Sequence, residues 1–151
     1  MDDLISIIMP VKNTSSYLDE CLNSIINQSY KNWELLAVND SSDDNSNEIL
    51  KKFSKKENRI KVFQNIGNGI IPALQASYFH SKGNFITRMD SDDIMPKYKL
   101  EILLSELKLH NEFSLVTGYV EYFSSDGIQD GFRRYQDWLN SLVDKQSHHQ
   151  E

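Results

Sequence analysis

Apolar residues fall in short dense runs separated by polar stretches, and the two alternate regularly along the chain. Leu4 to Met9 is apolar but for Ser6 and stops at Pro10, which suits a strand buried on both faces of a parallel sheet. Tyr17, Leu18, Cys21, Leu22, Ile25 and Ile26 then recur at helical spacing, with Thr14, Ser15 and Ser16 offering N-cap side chains. Trp33 to Val38 predicts a second strand. In the polar loop that follows, Asn39 to Asp44, Asp44 is read as the cap of a helix whose Ile49, Leu50 and Phe53 face inward.

Ile60 to Phe63 predicts a third strand, and Gly67-Asn68-Gly69 turns the chain into a helix containing Ala73, Leu74, Ala76 and Phe79. Gly83 is expected to end that helix. Asn84 to Arg88 reads as a fourth strand, and Pro96 precedes a helix with Leu100, Leu103, Leu104 and Leu107 on one face. Further on, Phe113 to Phe123 reads as strand and Phe132 to Val143 as helix, before a polar tail from Asp144 to Glu151. Strands and helices that alternate with short connections imply right-handed crossovers. The expected fold class is α/β, a three-layer α/β/α sandwich around a mostly parallel, Rossmann-like sheet.

Composition adds limits rather than a function. A chain of 151 residues with 39% hydrophobic and 25% charged residues is expected to form a single domain over 1–151. Its formal charge of −6 excludes a general nucleic-acid surface, which needs clustered Lys and Arg. The lone cysteine, Cys21, sits in an apolar helical stripe and reads as a buried structural thiol. No run approaches the roughly 18 apolar residues of a membrane span, and Met1-Asp2-Asp3 lacks a basic signal-peptide start, so a cytoplasmic location is expected.

The chemistry concentrates in Arg88-Met89-Asp90-Ser91-Asp92-Asp93, where a strand-like run ends in three carboxylates. Open α/β sheets bind ligands at that C-terminal lip, so the stretch is either a site or a very acidic turn. In an extended segment Asp90 and Asp92 point to the same side and can share a hard cation. Mg²⁺ or Mn²⁺ prefers such oxygen ligands and leaves positions open for substrate phosphates. Asp40, at the end of the second predicted strand, falls on the same edge. Arg88 reads equally as a partner of these acids or as an ordinary strand-end cation. Tyr135 and Trp138 can stack on a sugar ring or belong to a helix core.

In order, the motifs are Ile5-Ser6-Ile7-Ile8-Met9-Pro10-Val11-Lys12-Asn13, Leu22-Asn23-Ser24-Ile25 with Gln28-Ser29-Tyr30, Val38-Asn39-Asp40-Ser41-Ser42-Asp43-Asp44, Asn65 with Gly67 and Ala73-Leu74, and Gly83 to Asp93. Through them the chain resembles the catalytic domain of inverting family 2 glycosyltransferases, which have the GT-A fold. The resemblance implies a donor-nucleotide site at Pro10, Val11, Asn13, Asp40, Arg88 and Asp90, with Pro10 and Val11 lining the base pocket and Asp40 recognising the base. Asp92, with Asp90, would hold Mn²⁺ or Mg²⁺ in the manner of a DXD motif. Departures are Asn39 for a common Asp, Ser41 for a frequent Gly and Gln75 for a frequent Asn.

The implied reaction is metal-assisted transfer, with inversion, from a nucleotide-diphosphate sugar, a UDP-sugar above others, to a saccharide or lipid-linked acceptor. The implied setting is bacterial cell-surface polysaccharide synthesis, with peripheral association of the full-length protein at the inner face of the membrane. No acid matches the family's general base, which is expected beyond Glu151, so the chain reads as an N-terminal donor-binding part without the acceptor half. Two alternatives stay open. A sugar nucleotidyltransferase would want a Gly-rich basic loop where Pro10 to Thr14 has no glycine, and a non-catalytic nucleotide-binding module would need no base.

Overall fold

The structure, a computed structural model, describes residues 3–109, 115–124 and 126–145. Its elements are β1 (Ile5–Val11), α1 (Ser15–Ile26), β2 (Trp33–Asn39), α2 (Ser46–Lys56), β3 (Ile60–Gln64), α3 (Ile70–Phe79), β4 (Phe85–Arg88), α4 (Lys99–Lys108) and α5 (Asp130–Lys145). Residues 1–102 and 103–151 form two compact units.

In the first unit the four strands run parallel in the order β3-β2-β1-β4. The chain steps outward from β1 to β3 and then returns past β1 to β4. Right-handed crossovers therefore put α1 and α2 on one face and α3 on the other. The packing agrees: α1 touches α2, whereas α3 lies on β1 and β2. Every residue of β2 is buried, as expected of a central strand covered on both sides. Leu18, Cys21, Leu22 and Ile25 form the buried stripe of α1, and Cys21 Sγ lies 3.9 Å from Met9 Sδ, so Met9 faces that helix.

Three expectations about local structure are corrected. The helix α3 stops at Phe79, not at Gly83, and buries Ala73 and Ser77 while Phe79 stays exposed. Gly83 is instead pressed against β1, where a Cβ would come 2.5 Å from Leu4 O and 2.7 Å from Ser6 N. Its N–H donates to Ser6 Oγ at 2.8 Å, and Ser6 Oγ donates to the buried Glu34 Oε1 at 2.8 Å. Burial opposes ionisation of Glu34, but Lys61 Nζ at 2.6 Å, Ser6 and the Lys82 N–H hold its carboxyl below the usual range.

The second correction concerns helix capping. Thr14 is the N-cap of α1 and makes no side-chain capping bond. Asp44, from the loop after β2, takes that role: Oδ2 accepts the Ser15 N–H at 2.8 Å and Oδ1 accepts the Ser46 N–H at 3.0 Å. One carboxylate thus serves the first turns of both α1 and α2, where negative charge is favoured.

The third lies in the second unit. Residues 115–124 carry no strand, although Phe113 to Phe123 was expected to, residues 113 and 114 being outside those described. Backbone groups that a neighbouring strand would satisfy are taken by side chains of α5. Asn140 Oδ1 accepts the Val120 N–H at 2.9 Å, Asn140 Nδ2 donates to Val120 O at 3.0 Å, and Gln136 Oε1 accepts the Tyr122 N–H at 2.7 Å. Tyr135 and Trp138 of α5 stack with ring centroids 5.5 Å apart, and both rings are about half exposed.

Candidate donor site

Strand order makes β1 and β4 the point where the sheet reverses its direction of winding, and ligands of open α/β sheets bind at the C-terminal end of such a switch. There β1 outruns its partner: Ile8 pairs with Arg88, Met89 N donates to Ile8 O at 3.1 Å, and Pro10 and Val11 continue beside β2 alone. Backbone groups alternate sides along a strand, so Pro10, like Ile8, turns its missing N–H toward the β4 side. Val11 is buried and Pro10 partly so.

The acidic stretch follows β4 at this edge, and it is not extended. Asp93 N donates to Asp90 O at 3.2 Å, closing a β-turn with Ser91 buried at its second position. The same-side alternation expected of Asp90 and Asp92 therefore does not apply. A strand needs a neighbour for its backbone, and beyond Met89 β1 offers none. Arg88 is paired with the acids: Nε and a terminal nitrogen reach the two oxygens of Asp90 at 2.8 and 3.1 Å, a bidentate bond. Asp92 and Asp93 are exposed, and Asp92 makes no hydrogen bond or ion pair among the described residues. Partial burial, then the charges of Asp90 and Asp92, push the Asp93 carboxyl above the usual range.

Asp40 is buried at the end of β2. Oδ1 accepts from Asn65 Nδ2 at 2.6 Å, both oxygens approach the Gly69 N–H at 3.1 and 3.0 Å, and Lys12 Nζ lies 3.3 Å from Oδ2. The bond from Asn65 is the main reason its carboxyl lies low; burial opposes, and Gly69 and Lys12 assist. This carboxylate thus ties the loop between β3 and α3, through a glycine at φ 93°, to the end of β2. Asn13, in the left-handed region at φ 53°, uses its side chain to accept the Asp43 N–H at 2.8 Å, lacing the loop after β1 to the loop after β2.

Lys12, Asn65 and Gly69 were not singled out from sequence as site residues. Their signal was the acid itself, because a buried Asp on a sheet edge must find donors nearby. Cys21 was read correctly as buried; its Sγ–H reaches Asp90 O at 3.6 Å from beneath the turn. Burial and the nearby Asp93, Asp92 and Asp90 charges push that thiol up to about 12.

Among the described residues no three His, Cys, Asp or Glu side chains gather into a metal cage. The donor set nevertheless fits a hard divalent cation bound in an open site. Asp92 has a free carboxylate, the acids of the turn repel one another, and such cations are held by one or two carboxylates with substrate phosphates completing the shell. A hollow of about 630 Å³ on the α3 side of the sheet, lined by Ile8, Leu74, Gln75, Tyr78, Phe79 and Ser81, includes none of the donor residues chosen from sequence.

The fold is of the GT-A type. The sequence pattern of the family described as Glycosyl transferase family 2 matches residues 6–148, and the chain belongs to that family. Among curated relatives, glycosyltransferase GlyG of Streptococcus pneumoniae is 37% identical over 128 residues, which are 84% of this chain and 42% of that protein. WfgD of Escherichia coli, a UDP-Glc:alpha-D-GlcNAc-diphosphoundecaprenol beta-1,3-glucosyltransferase, is 37% identical over 134 residues, 87% of this chain and 52% of its own length. Among solved structures, S. aureus TarS 1-349 in complex with UDP superposes with a TM-score of 0.65 at 29% identity, over 70% of this chain and 32% of that one. The chain thus spans roughly half or less of the proteins it matches.

Proposed function

We propose that this chain is the donor-binding part of a glycosyltransferase that moves a sugar, with inversion, from a nucleotide-diphosphate sugar to a saccharide or lipid-linked acceptor. The carrying observation is the free carboxylate of Asp92 on an acidic turn at the switch point of a family 2 sheet. Pro10 and Val11 would wall the base pocket, with Asp40 at its floor and Asn13 fixing the adjoining loop. Asp92, with Asp90, would hold Mn²⁺ or Mg²⁺. When bound, that cation supplies charge neutralisation for a departing diphosphate. Arg88 keeps Asp90 in place through its bidentate bond. A UDP-sugar is the favoured donor, supported by the UDP complex of TarS and the UDP-Glc in the name of WfgD.

The acceptor of WfgD is diphosphoundecaprenol-linked, and a similar acceptor here would place the reaction at the inner face of a membrane, in the synthesis of a cell-surface polysaccharide. No described helix is long and apolar enough to cross one. Inversion also needs a carboxylate that takes the acceptor proton. That base is assigned beyond Glu151.

Thermal unfolding with nucleoside diphosphates tests the reading. At about 100 times Kd, UDP with Mn²⁺ should add about 2.7 kcal/mol of stability. UDP alone should add far less, and Asp92→Ala should remove the metal-dependent part. A wild-type protein indifferent to every nucleotide and metal tried would refute it.

A further inference from the structure

The acidic turn belongs to a stretch with no regular structure, residues 89–98, yet parts of it are buried: Met89, Ser91 and Met95 are each under 5% exposed. Buried backbone groups outside helices and sheets need partners from elsewhere. Here one side of α1 and its C-terminal extension supplies them. Cys21 Sγ–H reaches Asp90 O, Ser24 Oγ accepts the Met95 N–H at 3.0 Å, and the Ser29 N–H donates to Lys97 O at 2.9 Å.

At the centre is Gln28, a fully buried amide just past the end of α1. Its Nε2 donates to Pro96 O at 2.9 Å and Met95 O at 3.2 Å, with Ser24 O also at 3.2 Å, while Oε1 accepts the Leu100 N–H at 3.2 Å. A single side chain thereby grips the backbone on both sides of the start of α4. No apolar residue of the same length could do this, and a carboxylate would turn an oxygen toward the three carbonyls that Nε2 now faces.

We infer that Gln28 is a positioning residue for the metal-holding turn, an inference that rests on the donor-site reading above. The turn is strung between two anchors. On one side Met89 N is fixed to Ile8 O of β1, and on the other Met95 and Pro96 are fixed to Gln28 and Ser24. Between them, Asp90 to Asp93 have their own β-turn bond, the Cys21 thiol beneath and the Arg88–Asp90 pair. Divalent cations of the Mg²⁺ type demand near-ideal placement of their oxygens. A shift of the second anchor would displace the carboxylates while leaving the base end, at Pro10, Val11 and Asp40, on or beside strands with which Gln28 and Ser24 share no side-chain hydrogen bond among the described residues.

That difference separates positioning from general support. In the intact protein, Gln28→Met and Gln28→Glu should bind uridine within twofold of wild type in calorimetric titration. The gain in UDP affinity that Mn²⁺ confers should fall at least tenfold. Ser24→Ala, a milder change that removes the acceptor for the Met95 N–H, should lose about threefold of the same gain and covers the case in which the Gln28 variants do not fold. Uridine and UDP·Mn²⁺ weakening together would make Gln28 a general support, and an undiminished Mn²⁺ gain in folded variants would also overturn the inference. A wild-type protein with no Mn²⁺ gain would overturn the donor-site reading and this inference with it. A wild-type gain that survives in the variants would overturn only the role of Gln28.

Discussion

The carboxylate of Asp44, which follows β2, accepts the backbone N–H of Ser15, which opens the helix after β1, at 2.8 Å. The same side chain accepts the Ser46 N–H, so two loops and two helix starts share one charge. The Ser46 hydroxyl, burial acting against it, and the Ser15 and Ser46 backbone bonds set its carboxyl well below the usual range, in that order.

Asp44→Ala should therefore lower the urea midpoint more than Asp43→Ala, whose side chain is exposed. Asp44→Asn should fall between, because an amide oxygen can still accept but carries no charge. Equal midpoints for the three variants would show that the shared cap carries no weight.

Stability should also fall in acid. Glu34, Asp40, Asp44 and Glu57 all have folded-state pKa values below their unfolded ones. Each contributes stability that is present above the unfolded carboxylate range, about 3.9 to 4.3, and disappears as pH drops through the folded value. Urea titrations should show little change from pH 7 to about pH 5 and a decline from there to pH 3, and a flat profile to pH 3 would contradict the bonding described for these acids.

Asp93 has the opposite sign. Its raised pKa means the protonated form is favoured in the folded state, a contribution lost as pH rises through the folded value. Asp93→Asn should then stabilise the metal-free protein at pH 7 and leave it unchanged at pH 3. Circular dichroism melts at the two pH values decide this, and an equal gain at both would rule out the cost of a partly buried and repelled charge as the cause.

Gly83→Ala should cost about 1 to 3 kcal/mol, because the added methyl meets the backbone of Leu4 and Ser6 at 2.5 to 2.7 Å rather than a side chain that can swing away. Chemical denaturation measures the loss. An unchanged midpoint would mean that β1 yields at no cost.

Ser41 sits at φ 54° with its side chain exposed. The left-handed region costs a residue with a Cβ about 1 to 2 kcal/mol, partly offset by the greater unfolded-state freedom of glycine. Ser41→Gly should raise Tm by about 2 to 4 °C for each kcal/mol recovered. A lower Tm would show that the serine side chain earns its place by a contact.

The strands β1 and β2 and the helices α1, α2 and α4 were legible because each buries a continuous or periodic apolar set, whereas β4 has no fully buried residue and α3 buries only Ala73 and Ser77, so these two were legible from apolar composition and flanking glycines alone. The acidic turn was legible as chemistry, though not as geometry: whether Asp90 and Asp92 lie on a strand depends on where β1 stops offering a partner. Asp44 was recognised as a cap for α2 but not for α1, because the Ser15 contact joins loops 29 residues apart. Residues 115–124 look like a strand in composition, and only the positions of Gln136 and Asn140 on α5 show that side chains have replaced the neighbouring strand. Gln28 carried a weaker signal, a polar residue closing an apolar helix.

The proline at position 10 has an effect that no side-chain bulk could provide. Had that residue carried an amide hydrogen on the β4 side, β4 could have run on past Met89 and zipped along β1, sealing the gap between them. An imino acid cannot make that bond, so the cleft is held open by covalent structure, and the chain leaving β4 must bend away at the position where its carboxylates begin.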